Sequence, residues 1–333
     1  MSSAALPRPA LAERTAAGSA ADAPPAGARL VRAAKVCLAF HAALSIFSAV
    51  AFATFLSGTA SAWLAQPANQ RAMQIGFAYG PATTVVLGAL AGLLHAAGRL
   101  GARRAALIFI VGFLISLSSE LSGTHTGYPF GPYGYSGLLG YKILGLVPFN
   151  IPTSWFFMLY CSLAMCGRLL AVRDHSPRSG QVGREKWVWA AVAALILTAW
   201  DVSMDPAMVR TVHWSWHLAP AAQQTTLQRW FVSDLFYGMP LSNWLGWLLT
   251  GTVVARVMLA VVPPSVWARR VSPTTFPLVL YAVNGILPIT ICARYGMTWA
   301  AVLGALAMAL PLVLSVRAGR REARAGAPAL AAA

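Results

Sequence analysis

Long apolar runs separated by short basic stretches dominate the chain. They fall near residues 34–56, 76–98, 105–122, 151–172, 187–204, 240–262, 275–293 and 297–316. A helix rises 1.5 Å per residue, so each run reaches across roughly 30 Å of hydrocarbon. The sixth carries Arg256 near its end, and the last two are parted only by Arg294-Tyr295-Gly296, which predicts a helical hairpin. The stretch 137–149, GLLGYKILGLVPF, is too short to span and predicts a re-entrant or interfacial segment. The pattern as a whole predicts an all-α integral membrane protein, a polytopic bundle of about eight transmembrane helices over residues 33–316. The flanks differ. Residues 1–32 are rich in Ala, Pro and Gly without an apolar run, and predict a disordered tail, as do the basic and Ala-rich residues 317–333. No compact apolar core precedes a cleavage site, so the N-terminal segment does not read as a signal peptide.

Composition agrees: 58% of residues are hydrophobic and 10% charged, against about 25% charged in soluble domains. The formal charge of +16 raises the question of nucleic acid. No basic stripe with interleaved aromatics is present, so nucleic-acid binding is excluded as a reading. The cations instead follow the topology. Of 25 Lys and Arg residues, only Arg71, Lys142, Arg210, Arg229 and Arg294 fall on one side of an eight-span arrangement. Cytoplasmic segments carry the excess of Lys and Arg, so both termini are expected in the cytoplasm of a multi-pass protein of the bacterial inner membrane. Cys37, Cys161, Cys166 and Cys292 lie inside apolar runs without a CxxC pair, and read as small buried hydrophobes.

The nine acidic residues are less evenly spread. Glu120 ends the third span, Asp201 and Asp205 end the fifth, and Asp234 precedes the sixth. On the charge-derived topology these four gather at the extracytoplasmic ends of their helices. Ionisable residues near hydrocarbon are costly and mark functional sites. Asp201 and Asp205, four residues apart, share a helix face, and Pro206 predicts that the helix ends at Asp205, with Asp201 one turn deeper. Two carboxylates in a low dielectric can hold one proton between them, a general acid beside a general base. Glu120 is a third catalytic candidate, or a partner for Lys142 or Arg210. The alternative for Asp201 and Asp205 is a solvated helix end. GTHTGYPFGPYGY, residues 123–135, is a tight loop rich in Gly, Pro and Tyr, and predicts either an aromatic belt or a lid over a conjugated or cationic substrate. Tyr128, Tyr133, Tyr135, Asn150, Trp155, Trp200, Tyr237, Asn243 and Trp244 are the candidate substrate-binding residues around the acids.

A weak internal repeat joins these parts: a helix ending in carboxylate, a loop, then Pro152-Thr-Ser-Trp155 or Pro240-Leu-Ser-Asn-Trp244 opening the return helix. His213 and His217 would share one helix face, a spacing metals use, but a single HxxxH falls short of a di-iron site, and an interfacial Trp-bearing helix is the preferred reading. No metal is expected. Nucleotide, flavin and acyl-serine motifs are missing from the sequence.

The segments SSELSGTHTGYPFGPYGYSGLLGYKILGLVPFNIPTSW, AWDVSMDPAM and YGMPLSNWLGW closely resemble the membrane hydratases of carotenoid biosynthesis, of the bisanhydrobacterioruberin hydratase and carotenoid 1',2'-hydratase type. The resemblance covers roughly residues 35–315. It implies addition of water across the terminal 1,2 (1',2') double bond of an acyclic carotenoid end group to give a tertiary alcohol, with no cofactor. It also implies a lipid-soluble carotenoid substrate in the bilayer and other membrane enzymes of the same pathway as candidate partners. Two other classes fit less well. Asp201-Val-Ser-Met-Asp205 is a DxxxD sequence of the kind that holds Mg²⁺ in an intramembrane prenyltransferase, but one such motif stands here where two are needed, and Lys and Arg are scarce beside it. A proton-coupled transporter would also bury acids.

Overall fold

In the computed structural model, which describes residues 26–56, 65–170, 179–218, 226 and 234–330, long helices occupy all of the expected runs. They are α1 (Ala26–Ala51, continued by a π-helical turn at Phe52–Leu56), α2 (Pro67–Leu100), α3 (Ala102–Thr126), α4 (Asn150–Leu169), α5 (Ser179–Arg210), α6 (Leu241–Val261), the short α7 (Pro264–Arg270), α8 (Phe276–Arg294) and α9 (Thr298–Leu330). The turn between α8 and α9 makes the expected hairpin. Helix continues on both flanks beyond the expected bounds, from Ala26 and as far as Leu330, because Ala and Arg are strong helix formers. The rest of the two expected tails lies outside the described residues.

Among the described residues, seven helices are long and apolar enough to cross a membrane. The eighth expected span, α4, has 20 residues, about 30 Å of helix, but is less apolar. Its position supplies the reason. Every residue from Pro152 to Arg168 is buried, and α4 touches α2, α3, α5, α6, α7, α8 and α9. A helix enclosed by others has no lipid face to cover, so its sequence tolerates Thr153, Ser154, Ser162 and Arg168. Arg168 closes one end of this pillar: its guanidinium donates to the carbonyls of Ser272 (2.5 Å), Pro273 (3.1 Å), Thr274 (3.1 Å) and Ser315 (3.2 Å). Arg256 does not interrupt α6; its guanidinium lies over the Trp187 ring, 5.3 Å from the centroid.

Small strands cover the other end of the bundle. β1 (Tyr133–Tyr135), β2 (Lys142–Ile143) and β3 (Val147–Pro148) lie between α3 and α4, β4 (Trp214–Trp216) follows α5, and β5 (Asp234–Phe236) and β6 (Met239–Pro240) precede α6. The stretch 137–149 is neither helical nor re-entrant after Leu139: a 3₁₀ turn at Gly137–Leu139 leads into the β2–β3 hairpin, which exposes Tyr141 and Leu144 at the surface. β1 and β4 pair antiparallel with Tyr133 opposite Trp216 and Tyr135 opposite Trp214. His213–His217 is therefore extended and not helical. Its pairing partner, β1, was not apparent from local sequence.

Two chain reversals aim this ribbon. Gly127, at φ 82°, ends α3 and donates its N–H to Gly123 O. α5 ends at Val212, φ 55°, with His213 N–H bonded to Met208 O and Val212 N–H to Val209 O. That is a Schellman motif with a β-branched residue where glycine is preferred. The expected stop at Asp205 is corrected: α5 runs through Pro206 to Arg210, because packing against α6, α8 and α9 overrides the local cost of proline. Asp205 thus sits inside the bundle, 3% exposed, and not at a wet mouth.

Candidate active site

Glu120, about two turns before the Gly127 cap, points into the bundle and is buried. Its Oε2 accepts hydrogen bonds from the hydroxyls of Tyr133 and Tyr135, the latter at 2.8 Å, and its Oε1 accepts from Trp155 Nε1 at 3.0 Å. The expected cationic partners are elsewhere: Lys142 Nζ donates to Tyr135 O at 2.5 Å, and Arg210 lies over the Tyr295 ring. A group given three donors acts as an acceptor, and Oε1, with one donor, has capacity for another. Burial and the neighbouring Glu120 carboxylate push both tyrosines well above the ordinary phenol value, so they remain O–H donors.

Asp201 and Asp205 face each other, fully enclosed, across the i, i+4 face of α5. One amide serves both: Asn243 Nδ2 donates to Asp201 Oδ2 at 3.0 Å and to Asp205 Oδ2. Met239 Sδ lies 3.1 Å from the same nitrogen, and the Trp214 side chain is within hydrogen-bonding reach of Asp205. Asp201 Oδ1, Asn150 Oδ1 and Trp216 Nε1 are buried without a protein partner. Orphaned polar atoms in one region mark a place for ordered water.

These groups close one end of a cavity of about 470 Å³. Of the candidates named from the sequence, Glu120, Asp205, Tyr133, Tyr135, Asn150, Trp155, Trp200 and Asn243 line it. Asp201 does not; it stands behind Asp205. Trp155 stacks on Trp247 (centroids 4.5 Å apart, 22° between planes), and Trp200 meets Trp247 edge-on at 6.0 Å. Tyr133 packs on Trp216 and Tyr135 on Trp214, at 5.1 and 5.7 Å. Beyond this aromatic end the walls are mainly aliphatic and aromatic side chains of α1, α2 and α8, with Ser45, Ser48, Asn69, Thr84 and Asn284 among them.

Three expected site residues stand apart. Tyr128 is 78% exposed; Tyr237 faces outward and accepts from the backbone of Trp299; Trp244 packs on Phe236. The helical register of α6 turns Trp244 away and brings Trp247, nearly one turn later, to the cavity. Asp234 begins β5, but its side chain lies outside the described residues. Sequence reasoning missed Trp247, Trp214, Trp216, Phe130 and His213. Alternation over Trp214-Ser-Trp216 was the available signal for a strand with both indoles on one face. Burial pushes His213 down to about 4, so it is neutral at pH 7, with Nδ1 2.8 Å from Thr211 Oγ1. Among the described residues no group of three or more His, Cys, Asp or Glu is placed to hold a metal.

Comparison with known proteins adds two findings. Residues 80–311 match the family model described as carotenoid biosynthesis protein. A stretch of 151 residues is 30% identical to bisanhydrobacterioruberin hydratase of Haloarcula japonica, spanning 45% of this chain and 43% of that protein. The chain thus aligns with less than half the length of this relative. No solved structure matches.

Proposed function

This chain belongs to the carotenoid biosynthesis protein family, and from that premise we propose that it hydrates the terminal double bond of an acyclic carotenoid. The observation that carries the reading is an apolar cavity ending in Glu120 and the Asp201–Asp205 pair, with orphaned polar atoms beside them. Hydrating a trisubstituted alkene requires a proton at C2, a stabilised tertiary cation at C1, and water. Asp205, the member of the pair that reaches the cavity, gives the proton as the π electrons form the C2–H bond. Asp201 shares that proton with Asp205 before the step and Asn243 bridges the two carboxyls, which makes them positioning residues. The faces of Trp155, Trp200 and Trp247 stabilise the cation. Water, received by Asn150 Oδ1 and Glu120 Oε1, bonds to C1 and releases a proton to Glu120. Return of that proton to the pair restores the enzyme, so the net change is one water added and a tertiary alcohol formed.

The described cavity lining contains no Lys or Arg, which disfavours a diphosphate substrate and with it the prenyltransferase reading. The bias of Lys and Arg supports an extracytoplasmic position for this end of the bundle, in the cell membrane. The test is expression in a lycopene-producing bacterium grown in H₂¹⁸O. Pigment gaining one water per modified end, with ¹⁸O in the new hydroxyl, is expected. Oxygen drawn from O₂, or a requirement for a prenyl diphosphate, would refute the reading.

A further inference from the structure

The cavity is open on its far side. Phe47 on α1 and Phe77 on α2 both line it, yet are 69% and 39% exposed. Side chains that face a cavity and the exterior together mark an opening. The cause lies in α2, whose buried residues all fall at or after Gly88. Before that point the helix touches α1, where Thr84 O meets His41 Nδ1 at 2.8 Å and Phe77 packs edge-on against Phe52, but has no fully buried residue; Pro81, inside it, leaves the Phe77 carbonyl without its usual backbone donor. Gly76 and Gly80 line the cavity there, and a Cβ on either would meet nothing within 4 Å. On α8 the facing wall is Val283, Leu287 and Ile291. The opening is therefore apolar and, rimmed by two long apolar helices, lies on the lipid side.

Size decides what passes through it. A methine or methylene takes about as much room as a water, roughly 30 Å³. The 470 Å³ cavity thus holds on the order of fifteen carbons. A C40 carotenoid does not fit.

We propose that the rim at Phe47 and Phe77 is a lateral portal through which one end of a linear polyene enters from the bilayer, while the rest of the chain stays among the lipid acyl chains. The proposal rests on the hydratase reading for the identity of the chain that enters. Among the described residues the far end meets no wall, so none of them acts as a ruler for chain length. A carotenoid with two reactive ends is handled in two visits, and the singly hydrated product leaves in between.

Two measurements on the full chain in liposomes test this. The first compares a full-length acyclic carotenoid with a short acyclic terpenoid carrying the same end group. In Gly80→Phe or Gly76→Phe the ratio of long to short conversion is expected to fall at least tenfold. An unchanged ratio, as when the groove holds only bilayer lipid, overturns the portal. Gly80→Cys carrying a bulky reversible thiosulfonate label gives the same loss without a change of fold, and reduction of the label restores the ratio; a ratio indifferent to labelling also overturns it. The second needs no turnover: a photo-crosslinking benzophenone side chain replacing Phe47 is expected to capture the carotenoid, and no capture overturns the portal. Capture without hydration in the wild type would instead refute the reaction and leave the portal standing.

Discussion

Replacing Asp201 by Asn separates catalysis from structure, because the two respond with opposite signs. Asp201 is fully buried, one of its oxygens accepts from Asn243 at 3.0 Å, and the other has no protein partner. A buried polar atom left unpaired costs about 1–3 kcal/mol. Asn keeps the shape, removes one of two facing acids and can present an N–H to Asp205. Stability is therefore expected to hold or to rise by about 1 kcal/mol, near 2 °C in Tm for a chain of this size. Turnover moves the other way. An amide at position 201 cannot share a proton with Asp205, so the donor loses the carboxyl that keeps it protonated. General acid catalysis contributes about 10²–10⁴-fold, which is about 3–5 kcal/mol of barrier. The assay is hydrated pigment per unit of protein in membranes, with Tm followed in detergent on the same preparation. Activity that merely tracks protein abundance, or a Tm lowered by several degrees, would show that Asp201 is a structural residue and remove the pair from the mechanism.

Other outcomes follow from single contacts. Tyr133→Phe and Tyr135→Phe each delete a donor to Glu120 worth about 1.5–3 kcal/mol, so Tm should fall by a few degrees and kcat should drop about 10- to 100-fold; unchanged kcat in both would free Glu120 from its proposed role. Gly246→Ala would set a Cβ 2.5 Å from Phe130 Cδ1 and 2.9 Å from Pro129 O; overpacking of this kind costs about 1–3 kcal/mol, read as a lower Tm. Val212→Gly relieves the left-handed strain at an exposed position and should stabilise by about 1 kcal/mol; a lower midpoint in denaturant contradicts the cap geometry. His213 titrates near 4 in the folded protein and near 6.5 when unfolded. Between those values the unfolded chain binds the extra proton, so stability falls as pH drops from 6.5 to 4 and levels below. The loss is on the order of 3 kcal/mol, and it should vanish from the Tm–pH curve of His213→Gln.

The helices were legible because each apolar run is long enough to be unambiguous, and even α4 kept enough Phe, Leu and Met to be seen. Glu120 and the Asp pair were legible as charges out of place. Local rules misled where packing decides. Pro206 reads as a stop, yet α5 passes through it because the neighbouring helices hold the segment. Trp244 looked like the counterpart of Trp155, but helical phase gives that place to Trp247. The pairing of Tyr133–Tyr135 with Trp214–Trp216 joins segments some eighty residues apart, and no local pattern announces a partner at that separation.

The enclosure of α4 bears on how the chain is made. A segment carrying Asn150, Thr153 and Ser154 at one end and Arg168 at the other is a poorer client for insertion on its own than its neighbours, since polar and charged groups raise the cost of partition from water into lipid. Its greasy companions must hold a place for it. Biogenesis accordingly depends on cooperation between neighbours during synthesis, and truncations that end soon after α4 should leave that segment stranded outside the membrane.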